Sequence, residues 1–380
     1  MTISAVAPFY ERGVCQMTGS MIGTLFRVTT FGESHGPAIG AVIDGCPPGM
    51  ELTGVEIQND LDRRRPGQTD ISSPRREMDH CEILSGVFRG KTTGAPIALL
   101  IRNIDADPKA YDALEDVYRP GHADYTYEAR YGIRDHRGGG RASGRETGAR
   151  VAAGAVAKVL LRAANISIFS HTLSIGDVYA KEFDQEQVNL NPVRCADHRA
   201  AVRMAKAILK AQEEGDSLGG IVEVVAVGVP AGLGDPVFSK MDADIAAALM
   251  SIGAVKGVEI GIGFGASGLK GSQMNDPIIK QKGRIRMPSN RAGGILGGIS
   301  TGEDIIARIA VKPTPSVGRP QKTVTRKKSR TTLKITGRHD PCICPRIVPV
   351  AEAMMAIVLA DHLLRLRAIR PDRFDNFKPR

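Results

Sequence analysis

The chain has 380 residues, 42% hydrophobic and 24% charged, with 51 Lys and Arg against 41 Asp and Glu and a formal net charge of +10. That length can bury a large core and that composition is ordinary for a folded protein, so disorder is excluded as the default, and six scattered cysteines with no CxxC pair exclude a disulfide scaffold in favour of reduced thiols. The basic excess favours polyanionic partners, whereas an aromatic share of 4% without Trp argues against a surface built to stack bases.

Residues 1–20 read as a loosely attached extension, without the basic start and continuous apolar core of a signal peptide. TLFRVTTF (24–31) is β-branched and aromatic, a strand running into the glycine loop GESHGP with Ser34 and His35. DLDRRRPGQTD is a cationic run that includes Arg64 and ends at the turn signal Pro66-Gly67. SGVFRGKTTG (85–94) approaches a phosphate-binding P-loop, but Gly86 and Gly90 are separated by three residues where the loop needs four. APIALLI (95–101) is a buried strand, and RPGHAD then places His122 in a second glycine turn. A histidine in such a loop, off any apolar helical face, is available for chemistry: beside a phosphate it is held protonated and can hand its proton to a leaving oxygen.

RDHRGGGRASGRETGAR (134–150) holds five arginines and five glycines in seventeen residues. Ser143-Gly-Arg-Glu146 has the form of a capping box, and apolar residues follow at helical spacing (Val151, Ala155, Val159; Ala152, Val156, Leu160), so the pattern predicts a helix from Ser143. Free N–H groups at that helix start, behind a glycine loop loaded with guanidinium, predict an anion site.

Further on, ADHRAAVRMAKAILKAQEEG is an amphipathic helix closed by Gly215, IVEVVAVGVP a strand, and DADIAAALMSIGAVKGVEIG helix, turn and strand. GFGASG (263–268) satisfies GxGxxG, but LKGSQMNDP follows where a helix should receive a pyrophosphate, which argues against a dinucleotide fold. TVTRKKSRTTLKIT is strand, basic loop, strand. Asp340, between two cations and a proline, reads as a charge partner of Arg338; Cys342 and Cys344 near His339 lack a second ligand pair with zinc spacing, so no metal is expected. VPVAEAMMAIVLADHLLRLRA is the last long helix, its apolar run broken by Glu352, Asp361 and His362 and short of the roughly 20 residues of a membrane span.

Runs of strands mixed with helices predict an α+β protein, and the lack of repeats or a Pro- or Ser-rich linker predicts one large domain over 21–375. Three readings of the arginine stretch compete: a folded pocket for small anions, an ordinary solvated surface, and a nucleic-acid binder using 134–150 and the RKKSR loop at 326–330. A well-capped helix behind the arginine loop favours the pocket, and RKKSR fits an exposed hairpin.

LFRVTTFGESHG, DLDRRRPG, ILSGVF, RPGHADYTY, GGGRAS, GVPAGLGDPVF, RAGGILGGIS, KPTPS and GRHDPC, in this order from about Met21 to about residue 370, together resemble the chorismate synthase family. The resemblance implies a βαβ sandwich of helices and antiparallel sheets, a cytoplasmic homotetramer, and the 1,4-elimination of phosphate from 5-enolpyruvylshikimate 3-phosphate. It further implies reduced FMN without net redox change, the electrons coming from NADPH or an external flavin reductase; a flavin oxidoreductase with net NADPH turnover is the alternative enzyme reading. By it His35 protonates the departing phosphate, His122 balances the charge of reduced flavin, and Asp340 assists proton transfer. FMN contacts are implied for Arg141, Ala142, Ser143, Gly253, Ala254, Gly297, Lys312, Pro313, Thr314, Pro315, Ser316 and Arg338, with Ser34 and Arg64 towards substrate or nicotinamide. Asp70 stands where many relatives carry Arg, and Gly253 where relatives often carry Asn.

Overall fold

A computed structural model describes residues 19–69, 71, 77–105, 108–335 and 340–374. The extension expected over 1–20 therefore lies outside the described residues up to position 18, as do Asp70, Arg338 and His339.

The first half builds a five-stranded antiparallel sheet from β1 (Met21–Ile22), β2 (Arg27–Gly32), β3 (Ala38–Asp44), β4 (Cys81–Ile83) and β5 (Ile97–Arg102), in the order β1-β2-β3-β5-β4. The second half builds another from β6 (Ser167–Ile175), β7 (Val178–Tyr179), β8 (Gly220–Val227), β9 (Val255–Ile260) and β10 (Ile305–Val311), in the order β9-β10-β8-β6-β7, again antiparallel throughout. Between the sheets lie α1 (Gly54–Arg64), α3 (Thr147–Ala163), α5 (Met241–Met250) and α6 (Cys344–Ile369); α2 (Asp124–Tyr131) and α4 (His198–Glu213) lie elsewhere in the chain. Helix α3 packs on β3 and β5, α6 packs on β6 and β8, and the two helices pack on each other, which gives the α+β sandwich. The close crossing has a local cause: a Cβ on Gly154 of α3 would run into Ala353 of α6.

The strands read from TLFRVTTF, APIALLI and IVEVVAVGVP, and the helix closed by Gly215 (φ +68°), are all present. The near P-loop is a tight hairpin, Val87–Phe88 with Lys91–Thr92, and GFGASG is a 3-10 turn. Gln321–Val324 (β11) pairs with Arg330–Leu333 (β12), leaving 325–329 as the hairpin tip, with 326–330 exposed.

Two expectations need correcting. The α-helix begins at Thr147, not Ser143: Ser143 caps a short 3-10 turn over Gly144–Glu146, its Oγ accepting Arg145 N–H at 3.2 Å, while the Glu146 carboxylate turns to Thr30 and Arg150 and closes no reciprocal box. Helix α6 is, by length and composition, long and apolar enough to cross a membrane; 94% of its apolar window is buried inside the protein, so its all-round hydrophobicity is that of a helix sandwiched in a core. Glu352, which broke the apolar run, is buried as an ion pair with Arg63 (2.6 Å) and Lys158 (2.7 Å), tying α6 to α1 and α3.

Candidate active site

The β2–β3 turn carries Ser34 and His35, and the glycine–arginine loop closes over it. Gly138 has φ +75°, and a Cβ there would stand 2.5 Å from His35 Cδ2 and 2.8 Å from Ser34 Oγ, so only glycine lets the loop approach. Arg119 holds the loop in this place, its Nη2 donating to both the Gly138 carbonyl (2.7 Å) and Asp124 Oδ1 (2.7 Å) while its Nε donates to Asp124 Oδ2 (2.8 Å). Burial pushes the Asp124 carboxyl up, but hydrogen bonds and charge from Arg119, with Arg134 behind, hold it below the usual carboxylate range. Tyr111 meets the His35 ring edge-on at 4.8 Å and lies under the Arg119 guanidinium.

Three residues beyond Arg119, His122 Nδ1 stands 3.0 Å from the Pro120 carbonyl and Nε2 3.0 Å from Ser316 Oγ. A carbonyl only accepts, so Nδ1 carries a proton and Nε2 is left for Ser316 and its surroundings. The KPTPS loop is fixed against the same segment: Lys312 Nζ donates to the Gly121 carbonyl at 3.2 Å, and a Cβ on Gly121 (φ +70°) would collide with Pro315. Thr314 Oγ1 donates to the Asp340 carbonyl at 2.9 Å, and the backbone N–H of Lys312 to the Ala254 carbonyl at 2.9 Å. The structure thus brings together Ser34 with His35, His122, Lys312 to Ser316, Asp340 and the Gly253–Ala254 turn. Gly297 sits in the turn of a hairpin, Ile295–Leu296 with Ile299–Ser300, whose hydrogen bonds run to Gly232, Leu233 and Met241.

Asp340 is buried and paired with Arg346, whose Nε also reaches the Arg64 carbonyl at 3.4 Å; its expected partner Arg338 lies outside the described residues. Arg64 is 1% exposed, its guanidinium committed to Asp79 (2.6 Å), the Gly144 carbonyl (2.7 Å) and Thr147 Oγ1 (3.1 Å). It braces the chain entering α3. Cys342 and Cys344 are buried free thiols, and among the described residues no group of three or more His, Cys, Asp or Glu could hold a metal ion.

Each arginine of the 134–150 stretch has a partner within the fold. Arg134 binds Asp124 and the Leu114 and Glu115 carbonyls, Arg137 binds Asp135, and Arg145 binds Asp79, Glu77 and Asn103. Arg150 binds Glu146 and Ser251, and Arg141 donates to Thr30 Oγ1 at 2.8 Å. The guanidinium groups hold the loop rather than line a free cationic surface.

The arrangement suits a phosphorylated flavin beside an anionic substrate. Lys312 is half-buried, and burial, followed by repulsion from Lys256, lowers its pKa; the charge of a bound anion would oppose that lowering. Ser34 Oγ is buried with no hydrogen-bond partner among the described residues, and a Cβ on Gly253 or Gly297 would meet only open space. Sequence reasoning missed Arg119, Tyr111, Glu146, Arg150 and Ser251; the i,i+4 spacing of Glu146 and Arg150 was the one local signal.

A sequence model described as "Chorismate synthase" matches residues 26–364. A chorismate synthase of Methanosarcina barkeri is 57% identical over 360 residues, covering 93% of this chain and 99% of its own, and one of Chloroflexus aggregans is 56% identical over 355 residues, covering 93% and 98%. A crystal structure titled as chorismate synthase superposes with a TM-score of 0.71 at 36% identity, covering 90% of this chain and 92% of its own. On these matches, and with the motifs gathered around one site, the chain belongs to the chorismate synthase family of carbon–oxygen lyases.

Proposed function

We propose that the chain removes phosphate and a ring proton from 5-enolpyruvylshikimate 3-phosphate by anti 1,4-elimination, yielding chorismate, with reduced FMN required and no net redox change. The observation that carries this reading is the convergence of two glycine-turn histidines, through Arg119 and Gly138, with the His122–Ser316 contact and the Lys312 loop.

His35 is the acid that protonates the departing phosphate; its ring is held between Tyr111 and Gly138, so the proton is delivered from a fixed position. His122 keeps Nδ1 on the Pro120 carbonyl and uses Nε2, in line with Ser316, to balance the charge of the cofactor. Asp340, oriented by Arg346, assists the transfer of the ring proton. Positioned proton transfers of this kind supply about 10² to 10⁴ in rate, and the ring hydrogen has no adjacent carbonyl to acidify it. Reduced flavin, when bound, supplies what is missing by lending electron density to the allylic system and recovering it as hydrogen is lost.

Arg141, Ala142, Ser143, Gly253, Ala254, Gly297, Lys312 to Ser316 and Arg338 are assigned to FMN, and Ser34 to the substrate or nicotinamide side. Arg64 serves that side through the loop it braces. We assign the catalytic domain to 21–375 and the protein to the cytoplasm as a homotetramer, its flavin reduced by NADPH or an external reductase.

The test is an anaerobic assay with chemically reduced FMN and the enolpyruvyl substrate, following chorismate and phosphate together. Equal amounts of both without any nicotinamide support the reading; product that requires stoichiometric NADPH points to an oxidoreductase.

A further inference from the structure

Five side chains outside the two histidine turns form one continuous chain of hydrogen bonds. Arg141 Nη2 donates to Thr30 Oγ1 (2.8 Å), and Thr30 Oγ1 donates to Glu146 Oε1 (2.9 Å). The other carboxylate oxygen, Glu146 Oε2, accepts from Arg150 Nε (2.7 Å), and Arg150 Nη1 donates to Ser251 Oγ (2.6 Å). Ser251 in turn donates to the Ala248 carbonyl at the end of α5. The same five residues line a cavity of about 200 Å³, with Met354 and Ile357 of α6 in its apolar lining.

The ends of this chain matter. Thr30 lies on β2, four residues before Ser34; Arg141 opens the loop assigned to FMN; Ser251 lies two residues before Gly253 of the Gly253–Ala254 turn, assigned to FMN from the other half of the molecule. Ala254 adopts φ +72°, a backbone conformation uncommon for a residue with a side chain, and its carbonyl accepts the Lys312 N–H. The turn is therefore conformationally demanding and must be held from outside itself.

We propose that Glu146 and Arg150 are positioning residues that set the spacing between the Arg141–Ser143 loop and the Gly253–Ala254 turn, so that both halves meet FMN in register. Neither touches the reacting atoms. Glu146 is the only carboxylate in the chain of contacts and is buried, so both its oxygens are occupied by the two sides it joins. Arg150 spans from that carboxylate to Ser251, a reach that a lysine ammonium, as a single point charge, cannot divide in the same way. This inference rests on the proposed FMN site.

The experiment measures reduced-FMN affinity by anaerobic titration for the full-length wild type, Arg150→Met, Arg150→Lys, Ser251→Ala and the Arg150→Met/Ser251→Ala double variant. Thermal midpoints and amide exchange of residues 251–255 are followed in the flavin-free proteins. Arg150→Met is expected to weaken FMN binding at least tenfold and to speed exchange in the turn. Arg150→Lys should restore only part of the affinity, and the double variant should bind no more weakly than Arg150→Met alone, because both changes break one link. Losses that add, or undiminished FMN affinity in Arg150→Met, overturn the relay while leaving the FMN site in place. No flavin binding by the wild type overturns both. Ser251→Ala, a deletion of one hydroxyl at the surface end of the chain, keeps the test open should Arg150→Met fold poorly: it too is expected to loosen the turn, and unchanged exchange and affinity would overturn the proposal.

Discussion

His122 Nε2 and Ser316 Oγ stand 3.0 Å apart across 194 positions of sequence, and the same two segments are locked again by Lys312 on the Gly121 carbonyl. That contact makes the KPTPS loop and the RPGHAD turn one unit. We expect His122→Ala to lose about 10² or more in turnover with the fold intact. Ser316→Ala should lose about tenfold or more, as one hydrogen bond to a charged group is removed. Steady-state rates with reduced FMN, beside thermal midpoints, check both.

Gly138 faces His35 at a distance no side chain tolerates, and its φ of +75° disfavours any Cβ. Gly138→Ala is expected to cost about 1–2 kcal/mol from the backbone alone and to depress turnover further by displacing the His35 ring. Gly132 (φ +73°), where a Cβ meets nothing within 4 Å, is the control: Gly132→Ala should show the stability loss without the loss of rate. Equal rates in the two variants would remove the Gly138–His35 contact from the account.

Glu352 provides a pH prediction. Burial raises its carboxyl, but Lys158 and Arg63 outweigh that and bring it down to about 2 from an ordinary 4.5. Because the folded-state pKa is depressed, the stabilisation is present above pH 4.5 and is lost as pH falls towards 2; the shift corresponds to about 3 kcal/mol. Glu352→Gln should cost about 3 kcal/mol near neutral pH, because Arg63 and Lys158 would be left to share Asp60 as their counter-ion. It should also flatten the stability curve between those pH values. Denaturant titrations across that range decide.

Arg141 binds Thr30 and its loop is assigned to FMN. Arg141→Ala should weaken flavin binding by about 1.5–3 kcal/mol, read by anaerobic titration. In the wild type, substrate should tighten FMN binding and FMN should tighten substrate binding by the same factor if the ligands share one pocket. Affinities indifferent to each other would count against the shared pocket.

The arginine-rich stretch also bears on nucleic acid. Since Arg134, Arg141, Arg145 and Arg150 are committed inside the fold, among the described residues Arg137, the 326–330 segment and scattered surface cations remain for phosphates. We expect no tight binding of unrelated DNA or RNA in a gel shift at physiological salt.

What the sequence determined by itself is whatever is local. Period-two and period-3.6 apolar patterns placed the β2, β5 and β8 strands and the α4, α5 and α6 helices, and glycine turns singled out His35 and His122, because backbone conformation and side-chain periodicity act over a few residues. Nine short motifs in order were enough to indicate the family. Only the tertiary structure decided where charge is neutralised: the arginines of 134–150 looked like a free anion trap, yet Asp124 claims Arg134, and Asp79 and Glu77 claim Arg145, from other segments, while Arg137 and Arg150 pair with Asp135 and Glu146 inside the stretch. The Ser143 capping box failed for the same reason, Glu146 having a better partner in Thr30 and Arg150 than in its own cap. Pairing of buried charges is a matter of desolvation and three-dimensional proximity, and neither is written in the spacing of residues along a chain.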